Sequence, residues 1–413
     1  MKIGINAVGL LPGVIGGGET YIRGLVGGLS RLRCHDQFVL FTNRENHPTF
    51  GGLGPNFRRI RFNFSARWTI PSLAMTRVVG EQFFLPWRAA REGLDVIHSP
   101  LDTVPLMARC ATVMTLHDAN FDALPEATSR LQRRIARALV KISARRAHAI
   151  LTVSEFSRRE IVAAFGIDPQ RQFVVHNGAD ADRHSNRDDR GRRELQARIV
   201  VAKPYIVAFS SINPHKNIGA LIRAFARMRS PERGQLVVLG HLPAAGEELP
   251  ELAQSLGIRQ DVTFTGYVAE HEKVQLLRNA RLMAFPSLYE GFGIPVIEAM
   301  REGIPVVCSN RAALPEVAGA AARLFDPTDI DELRAALEEL LTDEALRAPL
   351  IAAGYLNAQR FSWDRAARLT MRVYRQAAHA VAGSNFAELA GPEAEVSADS
   401  TGSAQAPGVR VPA

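Results

Sequence analysis

The sequence predicts an α/β protein with two doubly wound, parallel-sheet domains that face each other across a cleft. Short apolar runs rich in Val and Ile alternate with helical patterns, which is typical of a parallel sheet with helices on both faces. The same alternation restarts after a polar interval, and 413 residues favour two domains over one. Such sheets bind ligands beyond the carboxyl ends of their strands, so we expect the functional site in the cleft.

The first domain is predicted over residues 1–183. Its strands are predicted at Lys2–Val8, Phe38–Thr42, Ile60–Phe64, Val96–Ser99, Thr112–His117, Ala149–Val153 and Phe173–His176. Helical periodicity between these strands predicts helices at Thr20–Leu32, Leu131–Arg146 and Ser157–Phe165.

A polar, charge-dense interval at 184–203 is predicted to link this domain to a second one at 204–365. The second domain has predicted strands at Tyr205–Ser210, Leu236–Leu239, Val262–Thr265, Leu282–Phe285, Pro305–Cys308 and Arg323–Phe325, and predicted helices at Ile218–Met228, Glu270–Asn279 and Ile330–Leu341. Residues 366–382 are expected to form a helix that returns to the first domain. The last stretch, 383–413, is rich in Ala, Gly, Ser, Pro and Glu without apolar periodicity, so we expect disorder there.

Composition and charge indicate the compartment of the protein and the kinds of partner it can bind. The three cysteines are far apart and odd in number, which fits a reducing compartment. Without a signal-like N-terminus or an apolar run of about 20 residues, we expect a cytoplasmic protein. The net charge of +8 divides into +11 for residues 1–200 and −3 for the rest. A basic first half suits nucleic acid, an anionic membrane, an anionic acceptor or simply an arginine-rich solvated surface.

The segment Phe285–Val307 carries the strongest functional signal. Glu290 precedes Gly291, Phe292 and Gly293, and Glu298 follows within a predicted helix, on an apolar face where a buried carboxylate needs partners. A strand, a glycine-containing loop and a helix start with Pro295 in the first turn form a site for an anion such as a diphosphate. Carboxylates do not bind a diphosphate, so we expect these two glutamates to bind hydroxyl groups. A site for a phosphate beside a site for a polyol indicates that the ligand is a nucleotide sugar.

Three other loops hold candidate site residues. Gly16, Gly17 and Gly18 open a helix, where backbone N–H groups can approach a phosphate, although a flexible turn explains them as well. His117 ends a strand and faces the cleft, as a sugar contact, a proton relay or a structural histidine. Lys216, one of five lysines in the chain, follows another strand and can neutralise a leaving diphosphate. No H-x-x-x-H or Cys cluster is present, so no metal site is expected.

The basic segment 131–148 has two interpretations. Leu131, Ile135, Leu139 and Ile142 recur at helical spacing among arginines and Lys141. Such a helix can lie on an anionic membrane. The same pattern describes a surface helix that turns this apolar stripe toward the core, and this second structure is the one we expect.

These residues together resemble the family 4 retaining glycosyltransferases, which have the GT-B fold, over about residues 1–380. Glu290 through Glu298 match the E-x7-E signature of that family in the form EGFGIPVIEA. Further matches are the glycine turn with Glu19 at 16–19, HD at 117–118, VSEFS at 153–157, HNGAD at 176–180, PHKN at 214–217 and LPEV at 314–317.

The resemblance implies a role for each matching residue. Glu298 would hold the ribose hydroxyls, Glu290 would contact the donor sugar at the reaction centre, and His117 would touch donor and acceptor. Lys216 would bind the diphosphate, together with backbone N–H groups near Gly293 and Ile294 and in the glycine turn at 16–18. The backbone near Tyr267 and Val268 would hold the base. The family needs no divalent metal and no cofactor beyond the nucleotide-sugar donor.

One departure from the family pattern concerns positive charge. Many relatives carry an arginine where this chain has His215, and often another where it has Ser210 and Ser211. Either His215 protonates when the phosphate binds, or Arg311 reaches into the site. We expect the second, because an arginine stays charged at any working pH.

The resemblance also suggests substrates. Segments such as SSINPHKN resemble the corresponding segments of family members that use GDP-mannose in surface polysaccharide assembly. UDP-linked hexoses are the alternative donors. The basic first domain suits a lipid-diphosphate or glycan acceptor at the inner membrane face. A nucleotide-sugar 2-epimerase would not explain the E-x7-E signature. A non-catalytic nucleic-acid-binding protein would need aromatic residues among the arginines, and few are present.

Overall fold

Two parallel sheets organise the protein. The computed structural model describes residues 1–13, 16–63, 80–119, 130–179, 204–211, 213–242 and 248–382. Within these ranges one seven-stranded sheet lies in the first half of the chain and one six-stranded sheet in the second. The predicted architecture of two doubly wound α/β domains is confirmed. The linker and the tail expected at 184–203 and 383–413 lie outside the described residues.

The N-terminal sheet has the order β3-β2-β1-β4-β5-β6-β7. Its strands are β1 (Lys2–Asn6), β2 (Gln37–Thr42), β3 (Phe57–Arg61), β4 (Val96–Ser99), β5 (Ala111–Leu116), β6 (Ala149–Thr152) and β7 (Gln172–Val174). The central strands β4, β5 and β6 are buried along their whole length, as the near-continuous apolar runs predict for a sheet covered on both faces.

The C-terminal sheet has the order β10-β9-β8-β11-β12-β13. Its strands are β8 (Tyr205–Phe209), β9 (Gln235–Leu239), β10 (Val262–Gly266), β11 (Leu282–Phe285), β12 (Val306–Ser309) and β13 (Arg323–Phe325). In both sheets the order reverses beside the first strand, and that switch point opens a crevice at the carboxyl ends.

Helices connect the strands. They are α1 (Gly17–Arg31), α2 (Leu85–Glu92), α3 (Arg130–Arg146), α4 (Glu155–Phe165), α5 (Ile218–Arg227), α6 (Leu249–Ser255), α7 (Glu270–Arg278), α8 (Ile294–Arg301), α9 (Leu314–Ala318), α10 (Ile330–Thr342), α11 (Glu344–Ala358) and α12 (Trp363–Val381). Local chemistry sets several boundaries. Helix α4 begins where the Ser154 hydroxyl accepts from the Ser157 N–H, and it ends at Gly166, whose φ is 63°.

Two sequence predictions are corrected, and four helices were not predicted. Strand β3 ends at Arg61 instead of Phe64, and it begins at Phe57, whose ring stacks on Phe38 with centroids 4.6 Å apart. Helix α11 was not predicted because Pro349 lies inside it and Leu346, Tyr355 and Leu356 are exposed, which removes the apolar periodicity. The short helices α2, α6 and α9 were missed because they are too brief to show a period.

The second correction concerns the basic helix α3. Its buried face is formed by Val140, Ser143 and Ala144, and Ala147, directly after the helix, is buried as well. Ile135 and Ile142 are 59% and 52% exposed. Two members of the stripe expected in the core, Ile135 and Ile142, therefore face outward instead, while Leu139 is partly buried and the side chain of Leu131 lies outside the described residues.

The last helix, α12, packs on the N-terminal domain. A Cβ built on Gly24 would lie 2.0 Å from the Trp363 ring, and one on Gly28 or Gly178 would lie within 2.4 Å of the Trp363 backbone. Arg31 donates to Asp364 at 2.5 Å, and Tyr374 lies 2.7 Å from His98 Nδ1. Three glycines therefore form a socket for one tryptophan at the point where the chain returns from the C-terminal domain.

Candidate active site

Four loops meet at the cleft. His117 follows β5, the turn Pro214–Lys216 follows β8, the loop 286–293 follows β11, and Tyr267 follows β10. The strands of a parallel sheet all end on the same edge, so each sheet presents its loops to the other domain. At the closest approach, a Cβ built on Gly291 would lie 2.4 Å from the His117 carbonyl oxygen.

The 286–293 loop ends on a left-handed residue. Gly293 has a φ of 102°, and a Cβ there would lie 2.7 Å from Leu314 Cδ2. Only glycine fits this position without strain. Ile294 and Pro295 then start helix α8 in buried surroundings next to Phe292. The positive end of the helix dipole is thereby directed at the loop.

Glu290 and Lys216 form an ion pair in this loop region. Lys216 Nζ lies 2.5 Å from Glu290 Oε1, and the two side chains are 15% and 13% exposed. The same ammonium group lies 5.0 Å from the centre of the Phe285 ring. A nearly buried ion pair of this kind is neutral as a unit, and it stays stable only while both partners are present.

Glu298 has a lysine partner of its own. Lys273 Nζ, on helix α7, lies 2.7 Å from Glu298 Oε1 and 2.8 Å from Glu270 Oε1. Burial alone would lower the pKa of Lys273, but the charges of Glu298 and Glu270 raise it above its usual value. The carboxylate that the sequence places on an apolar helix face therefore has a charged partner, as a buried carboxylate requires.

Sequence reasoning missed Lys273. The available signal was the demand of Glu298 for a partner, together with the scarcity of lysine in the chain. Two of the five lysines pair with the two signature glutamates.

His117 packs against a buried hydrogen-bond chain. Its Nε2 is 3.1 Å from the Pro100 carbonyl oxygen, and its ring meets Tyr21 edge-on with centroids 4.7 Å apart. Tyr21 bonds Thr115 at 2.8 Å, and Thr115 bonds His98 at 2.8 Å. Burial lowers the pKa of His98 to about 3, so this imidazole is neutral. The chain fixes the ring that packs behind His117.

His215 and Arg311 differ from Lys216 in their surroundings. Burial lowers the pKa of His215, the Glu290 charge opposes that shift, and Lys216 adds to it. The buried His215 Nδ1 has no hydrogen-bond partner among the described residues. Arg311 is 52% exposed and pairs with Asp326 at 2.9 Å. Its guanidinium is therefore exposed and paired with Asp326 in this structure.

The glycine turn at 16–18 has open space beside its backbone. Gly16 has a φ of 55°, and Cβ atoms on Gly16 and Gly17 would meet nothing within 4 Å. Gly18 follows in the first turn of α1, and Glu19 accepts from the Gly13 N–H at 2.7 Å. A Cβ on Gly13 would lie 3.9 Å from the exposed ring of Tyr267. Tyr267 also stacks on His241, which sequence reasoning missed, with centroids 6.1 Å apart, while Val268 packs against the core.

Comparison with known proteins supplies the family. The family model described as Glycosyltransferase Family 4 matches residues 15–183, and that described as Glycosyl transferases group 1 matches residues 192–357. The O-antigen chain mannosyltransferase B of Escherichia coli is 32% identical over 295 residues, which are 70% of this chain and 76% of that protein. The chain belongs to the family 4, group 1 glycosyltransferases.

Two further comparisons concern a second related sequence and a solved structure. The MMP alpha-(1->4)-mannosyltransferase of Mycolicibacterium hassiacum is 34% identical over 257 residues, 61% of this chain and 58% of that protein. The sucrose-phosphate synthase from Thermosynechococcus elongatus superimposes with a TM-score of 0.70 and 20% identity, covering 91% of this chain and 98% of that one. The predicted GT-B fold is confirmed. Because the chain is a transferase, a purely nucleic-acid-binding protein is set aside.

The glycosyltransferase brings together some predicted residues and separates others. His117, Gly291, Glu290, Lys216 and His215 form one connected group at the centre of the cleft. Tyr267 and Gly13 meet at another point of the cleft, and Glu298 lies on helix α8 with its lysine. Within the described ranges no group of His, Cys, Asp and Glu side chains is arranged to hold a metal ion.

Proposed function

We propose that this glycosyltransferase transfers a mannosyl residue from GDP-mannose to a glycan or lipid-linked glycan, with retention of the anomeric configuration. The Lys216–Glu290 pair at the start of helix α8 carries the proposal. An ammonium group and a helix N-terminus stabilise a diphosphate, and a carboxylate binds sugar hydroxyls. The two mannosyltransferases at 32% and 34% identity support mannose as the sugar.

The proposed reaction is a front-face substitution. The bond between the anomeric carbon and the diphosphate oxygen breaks, and the acceptor oxygen bonds the same face of that carbon. The proton of the acceptor hydroxyl passes to the leaving phosphate. Lys216 donates to the diphosphate as its negative charge develops, which lowers the energy of the transition state. Glu290, freed from part of its bond to Lys216, contacts the sugar.

The remaining residues orient donor and acceptor. Glu298 binds the ribose hydroxyls, and the backbone of Tyr267 and Val268 holds the base. Backbone N–H groups near Gly293, Ile294 and the 16–18 turn bind phosphate oxygens. The narrow approach between Gly291 and His117 leaves little room for solvent, which favours transfer over hydrolysis.

A thermal-shift panel of GDP-, UDP-, dTDP- and ADP-sugars tests the donor. GDP-mannose is expected to raise the unfolding midpoint, because a ligand that binds only the folded state stabilises it. A response to UDP-sugars alone would favour the alternative, a UDP-sugar-dependent hexosyltransferase of the same family. No response to any nucleotide sugar would contradict both. Product stereochemistry, determined by NMR on a simple mannoside acceptor, tests retention.

We also propose that the N-terminal domain contacts an anionic membrane surface where its acceptor is held. Helix α3 exposes Ile135 and Ile142 beside Arg134, Arg137 and Lys141. Apolar side chains flanked by basic ones suit the boundary of an anionic bilayer. Among the described residues, no helix is both long and apolar enough to cross a bilayer.

Vesicle flotation tests the membrane proposal. Binding to vesicles with phosphatidylglycerol, lost in the double variant Ile135→Ser, Ile142→Ser, is the expected result. The control Leu256→Ser changes an exposed leucine of the C-terminal domain and should bind as before. Binding that ignores the anionic lipid would contradict the proposal.

A further inference from the structure

The N-terminus of helix α4 is capped by a side chain from the other domain. Glu316, on helix α9 of the C-terminal domain, accepts from the Glu155 N–H at 2.9 Å and from the Phe156 N–H at 3.0 Å. These N–H groups belong to the first turn of α4, where a helix leaves its donors without internal partners. A carboxylate there also interacts favourably with the helix dipole.

The same carboxylate holds a third donor of the N-terminal domain. His176 Nε2 lies 3.0 Å from Glu316 Oε1, and since a carboxylate only accepts, the imidazole carries its hydrogen on Nε2. The half-buried Glu316 has its pKa lowered: burial raises it, but the bonds from His176, Glu155 and Phe156 outweigh that effect. The His176 ring meets Phe292, of the 286–293 loop, with centroids 5.9 Å apart.

Helix α4 in turn holds the reaction centre. The Ser154 hydroxyl donates to the Gly291 carbonyl oxygen at 2.7 Å. The Ser157 hydroxyl donates to the His117 carbonyl oxygen at 2.8 Å. The start of α4 therefore binds the loop of Glu290 from one domain and the strand end of His117 from its own domain at the same time.

We infer that Glu316 is a positioning residue for sugar transfer. It fixes α4 against the C-terminal domain, and α4 then sets Glu290 and His117 at their working separation. The inference rests on the proposed function for its kinetic consequence, but the contact between the domains does not. A displacement of about 1 Å at a reaction centre is enough to slow the chemistry up to about 100-fold.

The central test is Glu316→Gln in the full chain. A glutamine amide cannot accept from all three donors, so the join between the domains loosens while the helix stays covered. We expect kcat to fall about tenfold with the donor KM changed less than about threefold, because geometry and not donor contact is lost. The fraction of donor that is hydrolysed should rise, which a purely structural role would not cause.

A matched variant and a second readout accompany the test. Glu339→Gln removes a carboxylate that pairs with Arg323 on the outer side of the same domain, and it should behave as wild type. Ser154→Ala leaves Glu316 in place but removes the shorter of the two hydroxyl contacts of the Gly291 carbonyl, those of Ser154 at 2.7 Å and Ser157 at 3.0 Å, and it should reproduce the kinetic pattern of Glu316→Gln. Small-angle scattering measures whether the contact between the two domains has opened in Glu316→Gln or in Ser154→Ala.

Several outcomes would overturn the inference. Wild-type kcat and hydrolysis in Glu316→Gln, or a lower unfolding midpoint with unchanged kcat, would each refute it. Equal losses in Glu339→Gln would do the same. If wild type transfers no sugar from any donor, the proposed function fails and scattering decides: a larger radius for Glu316→Gln supports the join, and an unchanged radius refutes it.

Discussion

The two signature glutamates each hold a lysine, yet the two ion pairs are built differently. Their lengths are 2.5 and 2.7 Å, and the exposed fractions of the four side chains all lie between 13% and 16%. Lys216 sits in a turn and has Glu290 as its carboxylate, whereas Lys273 sits in helix α7 and has both Glu298 and Glu270.

From this difference we expect that the Lys216–Glu290 pair can open during the reaction and that the Lys273–Glu298 pair stays closed. One carboxylate balances Lys216, so an incoming diphosphate can compete for the ammonium group. Two carboxylates surround Lys273, so a hydroxyl ligand does not displace it. The first pair is therefore suited to binding a diphosphate whose charge changes during the reaction. The second is suited to holding a ribose hydroxyl oxygen in a fixed place.

The strongest test of the contrast removes the first pair. Glu290→Ala and Lys216→Ala should each lose at least about 100-fold in turnover, the scale of removing one preorganised charge partner. Steady-state kinetics with the responding donor measure this loss. The double variant should lose little more than either single one, because the two residues act as a unit. Near-normal rates for either single variant would refute the assignment.

A methyl group at Gly291 tests whether the first pair depends on contact between the domains. In Gly291→Ala the new Cβ would meet the His117 carbonyl oxygen at 2.4 Å, so the loop must retreat. We expect turnover to fall about tenfold or more, since overpacking of this kind typically costs about 1–3 kcal/mol. Gly51→Ala, where a Cβ meets nothing within 4 Å, is the control. Equal activity of the two variants would show that the approach is not required.

The second pair should affect binding more than chemistry. Lys273→Met leaves Glu298 without its charged partner, so we expect donor KM to rise about tenfold with kcat within about threefold, the pattern of lost uniform binding. Glu298→Gln should raise donor KM similarly. A large kcat loss in Lys273→Met would erase the distinction between the two pairs.

The smallest expected effect is at Arg311. Its pair with Asp326 is exposed to solvent and therefore weak, so the side chain can swing toward a diphosphate at little cost. Arg311→Ala should weaken GDP-sugar affinity about two- to fivefold by calorimetry, within the range of one exposed charge. Unchanged affinity would rule out Arg311 as the substitute for the missing arginine and leave Lys216 as the charge at that site.

Local sequence patterns predicted much of this molecule. The alternation of strands and helices, the helix start at Pro295 and the demand of Glu298 for a partner could all be read from neighbouring residues. The identity of that partner could not, because Lys273 and Glu298 are 25 residues apart and meet only when two helices pack. Glu316 belongs to the LPEV segment that matches the family, but its contact with α4 depends on how the two domains are oriented relative to each other.

The helix α3 result has a similar cause. A period-matched stripe of large apolar residues predicted the buried face, but depth of burial depends on how closely two backbones approach. Ala144 and Ala147 are buried whereas Ile135 and Ile142 are exposed, and only the packed structure decides between them.

The glycine socket for Trp363 bears on how the enzyme can be recombined with its relatives. A chimera made by one crossover in the interval between the domains would combine α1 of one parent with α12 of another. The foreign tryptophan or its neighbours would then have to fit Gly24, Gly28 and Gly178 of the host. Exchanging the donor half cleanly therefore requires two crossovers, with the second before Trp363, so that each N-terminal half keeps its own final helix.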